Sequence, residues 1–335
     1  MRPEIIFDSF VSDFLFPFSV IYGAFMKIRN KLYGRILKKR SLPGFVISVG
    51  NITVGGTGKT PLVIEIAKWA KEKGYNPAVI SIGYKGRFRG IRNVCDGKRI
   101  LSNVEECGDE AFLIARKLNI PVVVSKNRFL AGIYLKKKGL NFFILDDAFQ
   151  YVKLERDLDI VLINGKKPFG NKRLLPSGPL REPISHIKRA DIILITEGLF
   201  RIPFNKDVFF AKYIPESLVI KGKRKDISAI TGKKIIAFSG ISNPERFEDM
   251  LRRLGAELIY FKKFPDHYWY KEKDISQLIR LKKDTGADYV VTTEKDWVKI
   301  MKSEIAFIEV RLEIREKEKF FQIIDEKYRS KKYTD

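Results

Sequence analysis

A short apolar run ending in glycine, then a glycine-rich stretch, then a segment of helical periodicity leaves few folds open to this chain. Phe45-Val46-Ile47-Ser48-Val49-Gly50 reads as a buried strand, and Leu62, Ile66, Trp69 and Ala70 recur at helical spacing between Leu62 and Lys73. Between them stands Gly55-Gly56-Thr57-Gly58-Lys59-Thr60. In that setting backbone N–H groups and the amino-terminal end of the helix can cradle phosphates, with Lys59 reaching the β/γ-phosphates and the Thr60 hydroxyl reaching Mg²⁺. Pro61 fits, because the first helical turn has no intrahelical use for its N–H. The pattern departs from G-x-x-x-x-G-K-[ST] at its first glycine, which is Thr53 here, while glycine has moved to Gly55 and Gly56. The half that contacts phosphate and metal is intact. Thr53, Val54, Gly55, Gly56, Thr57, Gly58, Lys59 and Thr60 are therefore expected to bind a nucleotide.

A second apolar run, Phe142-Phe143-Ile144-Leu145, ends in Asp146-Asp147, as does a strand that delivers an acidic, metal-organising residue beside such a loop. Paired aspartates can also be plain turn residues. Further strands are expected at 78–82, 122–125 and 160–163, with helices near 110–117 and 128–137. Alternating β and α implies an α/β fold of the P-loop NTPase type, a largely parallel sheet with helices on both faces. Strands at 192–196, 235–239, 258–261 and 289–292, with a helix whose Phe247, Met250, Leu251 and Leu254 share a face, read as a smaller α/β lobe. A charge-alternating segment from Ile314 to Lys331 reads as a closing helix. At 335 residues two domains are expected, which we place at 1–189 and 190–335. No repeat or low-complexity linker interrupts them.

The balance of 64 Lys+Arg against 40 Asp+Glu, a net charge of +24, calls for an anionic partner more than for solubility. An ion-pair-rich thermophile surface would explain abundant charge but not the excess of one sign. Cys95 and Cys107 form neither a Cys-x-x-Cys motif nor a metal cluster with the two histidines, His186 and His267, which fits a reducing cytoplasm. The apolar run from Phe14 to Met26 is too short, and too broken by Pro17, Ser19 and Gly23, to span a bilayer. Glu4, Asp8 and Asp13 precede it where a secretory signal would carry positive charge, so export is not expected. From about 14 to 40 the chain reads as an amphipathic helix, with Phe18, Ile21, Tyr22, Phe25, Ile28, Leu32 and Ile36 on one face and Lys27, Lys31 and Lys38 opposite. Arg29 intrudes on the apolar side, and Arg35, Lys39 and Arg40 extend the basic run. Such a helix suits an anionic bilayer interface; packing on the protein's own core would give the same periodicity.

Ser48-Val49-Gly50-Asn51, Gly55 through Pro61, Gly108-Asp109-Glu110, Asp146-Asp147-Ala148-Phe149-Gln150, Leu174 through Pro183, Phe264-Pro265-Asp266-His267 and Thr292-Thr293-Glu294-Lys295-Asp296 run in order along nearly the whole chain. Together they resemble the tetraacyldisaccharide 4′-kinase (lipid A 4′-kinase) family. The resemblance implies transfer of the ATP γ-phosphate to the 4′-hydroxyl of an acylated disaccharide 1-phosphate, with Mg²⁺. It implies a peripheral enzyme at the cytoplasmic face of the inner membrane, with two lobes that close over the nucleotide. Neither nucleic acid nor an obligate protein partner is expected. Three positions depart from the family pattern: Ile82 replaces arginine in Ser-Arg-Gly-Tyr, Ala111 replaces proline in Gly-Asp-Glu-Pro, and Tyr151 replaces the histidine of Asp-Asp-Gly-Phe-Gln-His, where Ala148 also replaces glycine.

A sugar hydroxyl must lose its proton as it attacks phosphorus, so a positioned base is needed. On its own Asp109 is equally a helix-start carboxylate complementing the dipole; the resemblance makes it the base. The resemblance likewise makes His267 its assistant, although a lone histidine in an aromatic loop is more often structural. Arg181 and Glu182 lie in a proline- and glycine-rich loop that can present polar groups. We expect Arg181 and Tyr84 to contact substrate, and Thr60, Asp146, Asp147 and Glu182 to serve the metal. Lys295 and Asp296 receive no role. The rival of another class is a partition ATPase of the deviant Walker type, whose signature lysine is Val54 here; a GTPase lacks its Asn-Lys-x-Asp signature.

Overall fold

The computed structural model describes residues 10–202 and 204–332; Glu4 and Asp8 of the expected charge pattern, and the side chain of Arg35, lie outside what is described. Its strands are β1 (Phe45–Asn51), β2 (Pro77–Ser81), β3 (Ile91–Asp96), β4 (Pro121–Ser125), β5 (Phe142–Asp146), β6 (Leu158–Asn164), β7 (Ile192–Thr196), β8 (Asp207–Ile220), β9 (Lys223–Asp226), β10 (Lys234–Ser239), β11 (Glu257–Lys263), β12 (Tyr289–Thr293) and β13 (Ile305–Ile314). Among the described residues they join one sheet in the order β11-β10-β12-β13-β8-β7-β6-β1-β5-β2-β4-β3, with β9 pairing β8. Both halves are parallel within themselves apart from the edge strand β3 and the short β9, which runs antiparallel to β8, and they meet where β8 and β13 run antiparallel. Every residue of β1, β2 and β5 is buried, as expected of parallel strands covered on both faces.

The strands and helices expected from periodicity are present, most with bounds shifted by one to three residues; the helix expected over 14–40 is the exception, ending at Arg35 and leaving Lys38, Lys39 and Arg40 outside it. The long strands β8 and β13 were not expected: Lys212, Pro215 and Glu216 interrupt the apolar pattern of β8, and β13 was passed over although Ile305 to Ile308 is an apolar run and Glu309 to Ile314 alternates; Ile314, placed in the closing helix, ends β13 instead. Sheet hydrogen bonds cross the expected junction at 189/190 without a break, since β7 pairs in parallel with β6. The chain passes between the halves along β8 and returns along β13. Its last helix, Lys317–Lys332, then packs on the first half: Phe321 stacks on Trp69 at 4.9 Å between ring centres, and Tyr328 meets Phe45 edge-on at 5.5 Å.

The amino-terminal segment is helical over Phe10–Phe14 and Phe16–Arg35. At 100° per residue its positions divide into two opposed faces. Ser12, Ser19, Gly23 and Met26 are buried against the loop that follows β6, while Phe14, Phe18, Ile21, Phe25 and Ile28 are each more than half exposed. The Ser19 hydroxyl donates to the Leu174 carbonyl (2.8 Å) and accepts from the Ser177 N–H (2.9 Å). Gly23 is required by close approach: a Cβ there would stand 2.7 Å from Leu174 Cδ1. The helix thus docks by small and polar groups and leaves its aromatic face uncovered. No described helix is long and apolar enough to cross a membrane.

Phe320 is fully buried and meets Phe209 edge-on at 5.3 Å, so it ties the last helix to β8. Phe320→Ala should cost about 3–5 kcal/mol, read as a lower urea midpoint with unchanged slope. A midpoint at the wild-type value would mean that the helix adds nothing to the core.

Candidate active site

Parallel pairing of β1 with β5 sets Val49 opposite Asp146, so Asp146-Asp147 leave the sheet beside the glycine loop. The loop's first half is held by the segment after β6: Val54 N–H donates to the Pro179 carbonyl (2.7 Å) and Arg181 N–H to the Ile52 carbonyl (2.7 Å). Gly55 and Gly58 have φ of +105° and +91°, a region costly for other residues, and Gly58 leads directly into the helix Lys59–Glu72. The Gly56 N–H donates to Ser242 Oγ of the second half (2.6 Å), and the Tyr213 hydroxyl donates to the Thr57 carbonyl (3.2 Å). Thr60 follows Lys59 in the first helical turn.

The two aspartates differ sharply. Asp147, at φ +46°, is paired with Arg181 (2.8 and 2.9 Å) and Lys59 (3.6 Å). Burial alone would raise its pKa, but Lys59 and Arg181 outweigh this and bring it down to about 2. Asp146 takes a hydrogen bond from Ser81 on one oxygen (3.0 Å), whereas its buried Oδ1 has no partner. Burial, Glu110 and Asp147 push its carboxyl up to about 7. Arg128 donates to the carbonyls of both (3.0 and 2.8 Å), fixing the strand end.

Asp109 begins the helix Asp109–Lys117, next to Gly108, whose Cβ would fall 2.4 Å from the Tyr84 carbonyl oxygen. Its carboxylate meets His267 Nδ1 at 2.8 and 3.0 Å, across 158 residues of sequence. Burial opposes its charge, but the bond from His267 and the charges of Lys295, His267 and Lys299 hold its pKa down at about 2. The Tyr84 ring packs edge-on against His267 at 4.9 Å, and Lys85 Nζ reaches the His267 carbonyl (3.3 Å). A cleft lined by Lys85, Asp109, His267, Trp269 and Lys299 opens beside the pair.

The second half contributes more than the histidine. Lys295 Nζ lies 2.9 Å from Glu110 Oε1 and 3.3 Å from His267 Nε2, and the buried Lys299 pairs with Asp296 (2.8 Å). The sequence reading singled out Lys295 and Asp296, after an apolar strand in Thr292-Thr293-Glu294-Lys295-Asp296, but gave them no role, and it missed Lys299.

One expectation is corrected. Glu182 does not join the carboxylates at the loop. Its oxygens are bonded by Arg29 (3.0 Å), Arg189 (2.6 Å), Asn30 (3.2 Å) and His186 (2.8 Å), and these opposing charges lower its pKa despite full burial. A carboxylate surrounded by two guanidiniums is unsuited to a divalent cation. The same contact explains why Arg29 interrupts the apolar stripe.

A parallel sheet that delivers a glycine loop, its lysine and a neighbouring strand-end acid to one edge, with a carboxylate–histidine pair alongside, defines a P-loop kinase. The chain matches the family described as LpxK, tetraacyldisaccharide-1-P 4′-kinase, over residues 11–329. It is 37% identical to the tetraacyldisaccharide 4′-kinase of Syntrophus aciditrophicus, over 92% of this chain and 90% of that one. It is 40% identical to that of Desulfotalea psychrophila, over 85% and 86%. The crystal structure of LpxK from Aquifex aeolicus in complex with ATP superposes with a TM-score of 0.81 at 32% identity, covering 95% of this chain and 99% of that one. The chain belongs to the tetraacyldisaccharide 4′-kinase family, and it is an enzyme of the kinase class.

The opposed shifts predict opposed pH dependences. Asp109 and Asp147, with folded pKa values below the ordinary 3.8, each contribute on the order of 2 kcal/mol that is present above about pH 4 and lost as pH falls towards 2. Asp146, raised to about 7, favours the folded state below about pH 4, and that contribution is lost as pH rises through 7. Asp146→Asn should therefore stabilise the nucleotide-free protein by about 1–3 kcal/mol at pH 8 and hardly at all at pH 4, by urea unfolding. Equal effects at both pH values would contradict the shift.

Proposed function

We propose that this kinase transfers the γ-phosphate of ATP to the 4′-hydroxyl of a tetraacyldisaccharide 1-phosphate, a step of lipid A biosynthesis. The observation that carries the reading is the Asp109–His267 contact of 2.8 Å, made between the two halves of the sheet and next to Glu110, whose carboxylate feels the charge of Lys59. The ATP in the Aquifex aeolicus structure supports the choice of nucleotide.

The loop amides of Gly55 to Lys59 and the Lys59 ammonium hold the β/γ-phosphates. Arg181, which now shares Asp147 with Lys59, is near enough to that lysine to take a phosphate oxygen. Mg²⁺, when bound, would offset the charge of the phosphates. The donor set fits it: Asp146 presents an unpartnered buried oxygen, Asp147 is already paired, and Thr60 supplies a hydroxyl. No three His, Cys, Asp or Glu side chains form a ready-made metal cage among the described residues, which suits a cation that arrives largely hydrated on its nucleotide.

Asp109 accepts the proton of the attacking hydroxyl, and His267 aims the carboxylate. A pKa of about 2 keeps Asp109 ionised throughout the working range. In a loose, metaphosphate-like transition state the proton leaves late, so positioning counts for more than basicity. Tyr84, packed on His267, is placed to contact the sugar. The two halves of the sheet close about the β8–β13 ribbon, which brings His267 and Lys295 onto Asp109 and Glu110 and limits access of water.

The acyl chains and the exposed stripe of Phe14, Phe18, Ile21, Phe25 and Ile28 point to the same bilayer, with Lys27, Lys31 and Lys38 exposed towards anionic headgroups. The net charge of +24 fits a peripheral enzyme at the cytoplasmic face of the inner membrane, with no need of nucleic acid.

With γ-labelled ATP, Mg²⁺ and acylated disaccharide 1-phosphate in detergent, label should appear in the lipid. Asp109→Ala should lower transfer by about 10²–10⁴-fold while ATP still binds. Phosphate release stimulated by DNA, with unlabelled lipid, would sink the reading. The double variant Phe18→Ser, Phe25→Ser should leave the soluble fold intact and reduce sedimentation with anionic vesicles at least about tenfold; undiminished sedimentation would remove the helix as an anchor.

A further inference from the structure

The contacts on the two ring nitrogens of His267 are chemically different. Nδ1 faces the Asp109 carboxylate at 2.8 Å, and Nε2 faces the Lys295 ammonium at 3.3 Å. A carboxylate only accepts hydrogen bonds, and an ammonium only donates them. One neutral tautomer satisfies both: hydrogen on Nδ1, lone pair on Nε2. The other neutral tautomer would set two acceptors against each other at Asp109 and two donors against each other at Lys295. We propose that Lys295 is a positioning residue that fixes the tautomer of His267, and so directs its N–H at the base, Asp109.

Lys295 is well suited to this. Its ammonium is anchored by Glu110, one residue beyond Asp109, at 2.9 Å. Burial works against its charge, but the carboxylates of Glu110 and Asp109 more than compensate and raise its pKa. The remaining neighbours leave the assignment intact. Asp266 Oδ1 is 3.9 Å from Nε2, outside hydrogen-bond distance and farther than Lys295. Tyr84 presents ring edge or face only, Lys85 contacts the His267 carbonyl rather than the ring, and Lys299 reaches Asp109 at 3.9 Å without touching the imidazole.

This inference rests on the base assignment above and deepens it. With a hydrogen already on Nδ1 and the Nε2 lone pair engaged, the imidazole cannot take the substrate proton from Asp109. The proton leaves the sugar hydroxyl, binds Asp109 and stays there until product leaves. His267 and Lys295 both come from the second half of the chain, and Asp109 and Glu110 are adjacent in the first. The tautomer is therefore set only when the halves meet, which makes lobe closure and activation of the base one event.

The test uses the full-length protein labelled with ¹⁵N-histidine. Only two histidines contribute signals, and His186→Gln assigns them. Long-range ¹H–¹⁵N correlation at pH 7.5 should show His267 with a protonated Nδ1 and a bare Nε2. Lys295→Met should move the ring to the other tautomer or a mixture and lower kcat about 10- to 100-fold, short of the full base contribution of about 10²–10⁴, with KM for ATP within about threefold. Lys295→Arg, again a donor-only cation, should restore the wild-type pattern and most of the rate. A wild-type ring protonated on Nε2, or a Lys295→Met spectrum identical to wild type, would overturn the assignment, and the first of these needs no variant to fold. Failure of the base reading would show separately, as an Asp109→Ala enzyme with an unchanged rate, while the tautomer measurement stands on its own.

Discussion

The parallel register of β1 against β5 is the constraint on which this site depends. With Val49 opposite Asp146, the strand that feeds the glycine loop and the strand that ends in two aspartates stop side by side. Neither strand can slip by one residue without exchanging its two packed faces, moving Phe142 and Ile144 into the places of Phe143 and Leu145 and unpacking both cores. The hydrophobic core thus sets the position of Asp146 relative to Lys59, and the charges at the site inherit their geometry from apolar packing. Arg128 then bonds the carbonyls of Asp146 and Asp147, and Arg181 takes the Asp147 carboxylate, so the strand end is fixed from three sides.

The second half of the sheet meets this frame through β8 and β13. The pair is long and antiparallel, and it carries the only two passages of the chain between the halves among the described residues. Around it, the contacts that join the halves at the site include Asp109 to His267, Glu110 to Lys295, Lys85 to the His267 carbonyl, and the Gly56 amide to Ser242. Each of these is polar and partly exposed at its edge, unlike the aromatic packing of Trp69, Phe321 and Tyr328 that holds the last helix down. Interfaces of that kind can open and re-form, as the proposed closure requires.

Much of this was legible in the sequence where one local rule sufficed. The glycine loop, its flanking strand and helix, and the strand ending at Asp146 announce themselves by periodicity and punctuation. The Asp109–His267 pair did not; residue chemistry alone left both with bland alternatives, and only the resemblance joined them. Lys295 was left without a role, and Lys299 unnoticed, because nothing local distinguishes a lysine that bonds across 185 residues from one in a solvated turn. Glu182 was misplaced for a related reason. Proline and glycine around it signalled a presenting loop, but the partners that claim its carboxylate lie on the amino-terminal helix and the following turn, and two of them, Arg29 and Arg189, are guanidiniums. The strand β8 escaped because Lys212, Pro215 and Glu216 interrupt its apolar pattern, whereas β13, with its apolar run from Ile305 to Ile308 and alternation to Ile314, carried a strand signal that went unread.

The amino-terminal helix is fastened at both ends of the loop that carries Arg181: Ser19 bonds Leu174 and Ser177, Tyr22 donates to the Arg181 carbonyl, and Arg29 pairs with Glu182. Arg181 in turn grips Asp147 beside Lys59. A continuous chain of contacts therefore runs from the helix that bears the uncovered phenylalanines to the phosphate site. On the proposed reading the helix works as a depth gauge. How far the phenylalanines sink into the bilayer sets the height of the phosphate site above it, so reach towards the sugar of a membrane-held lipid is fixed by the fold rather than found by diffusion.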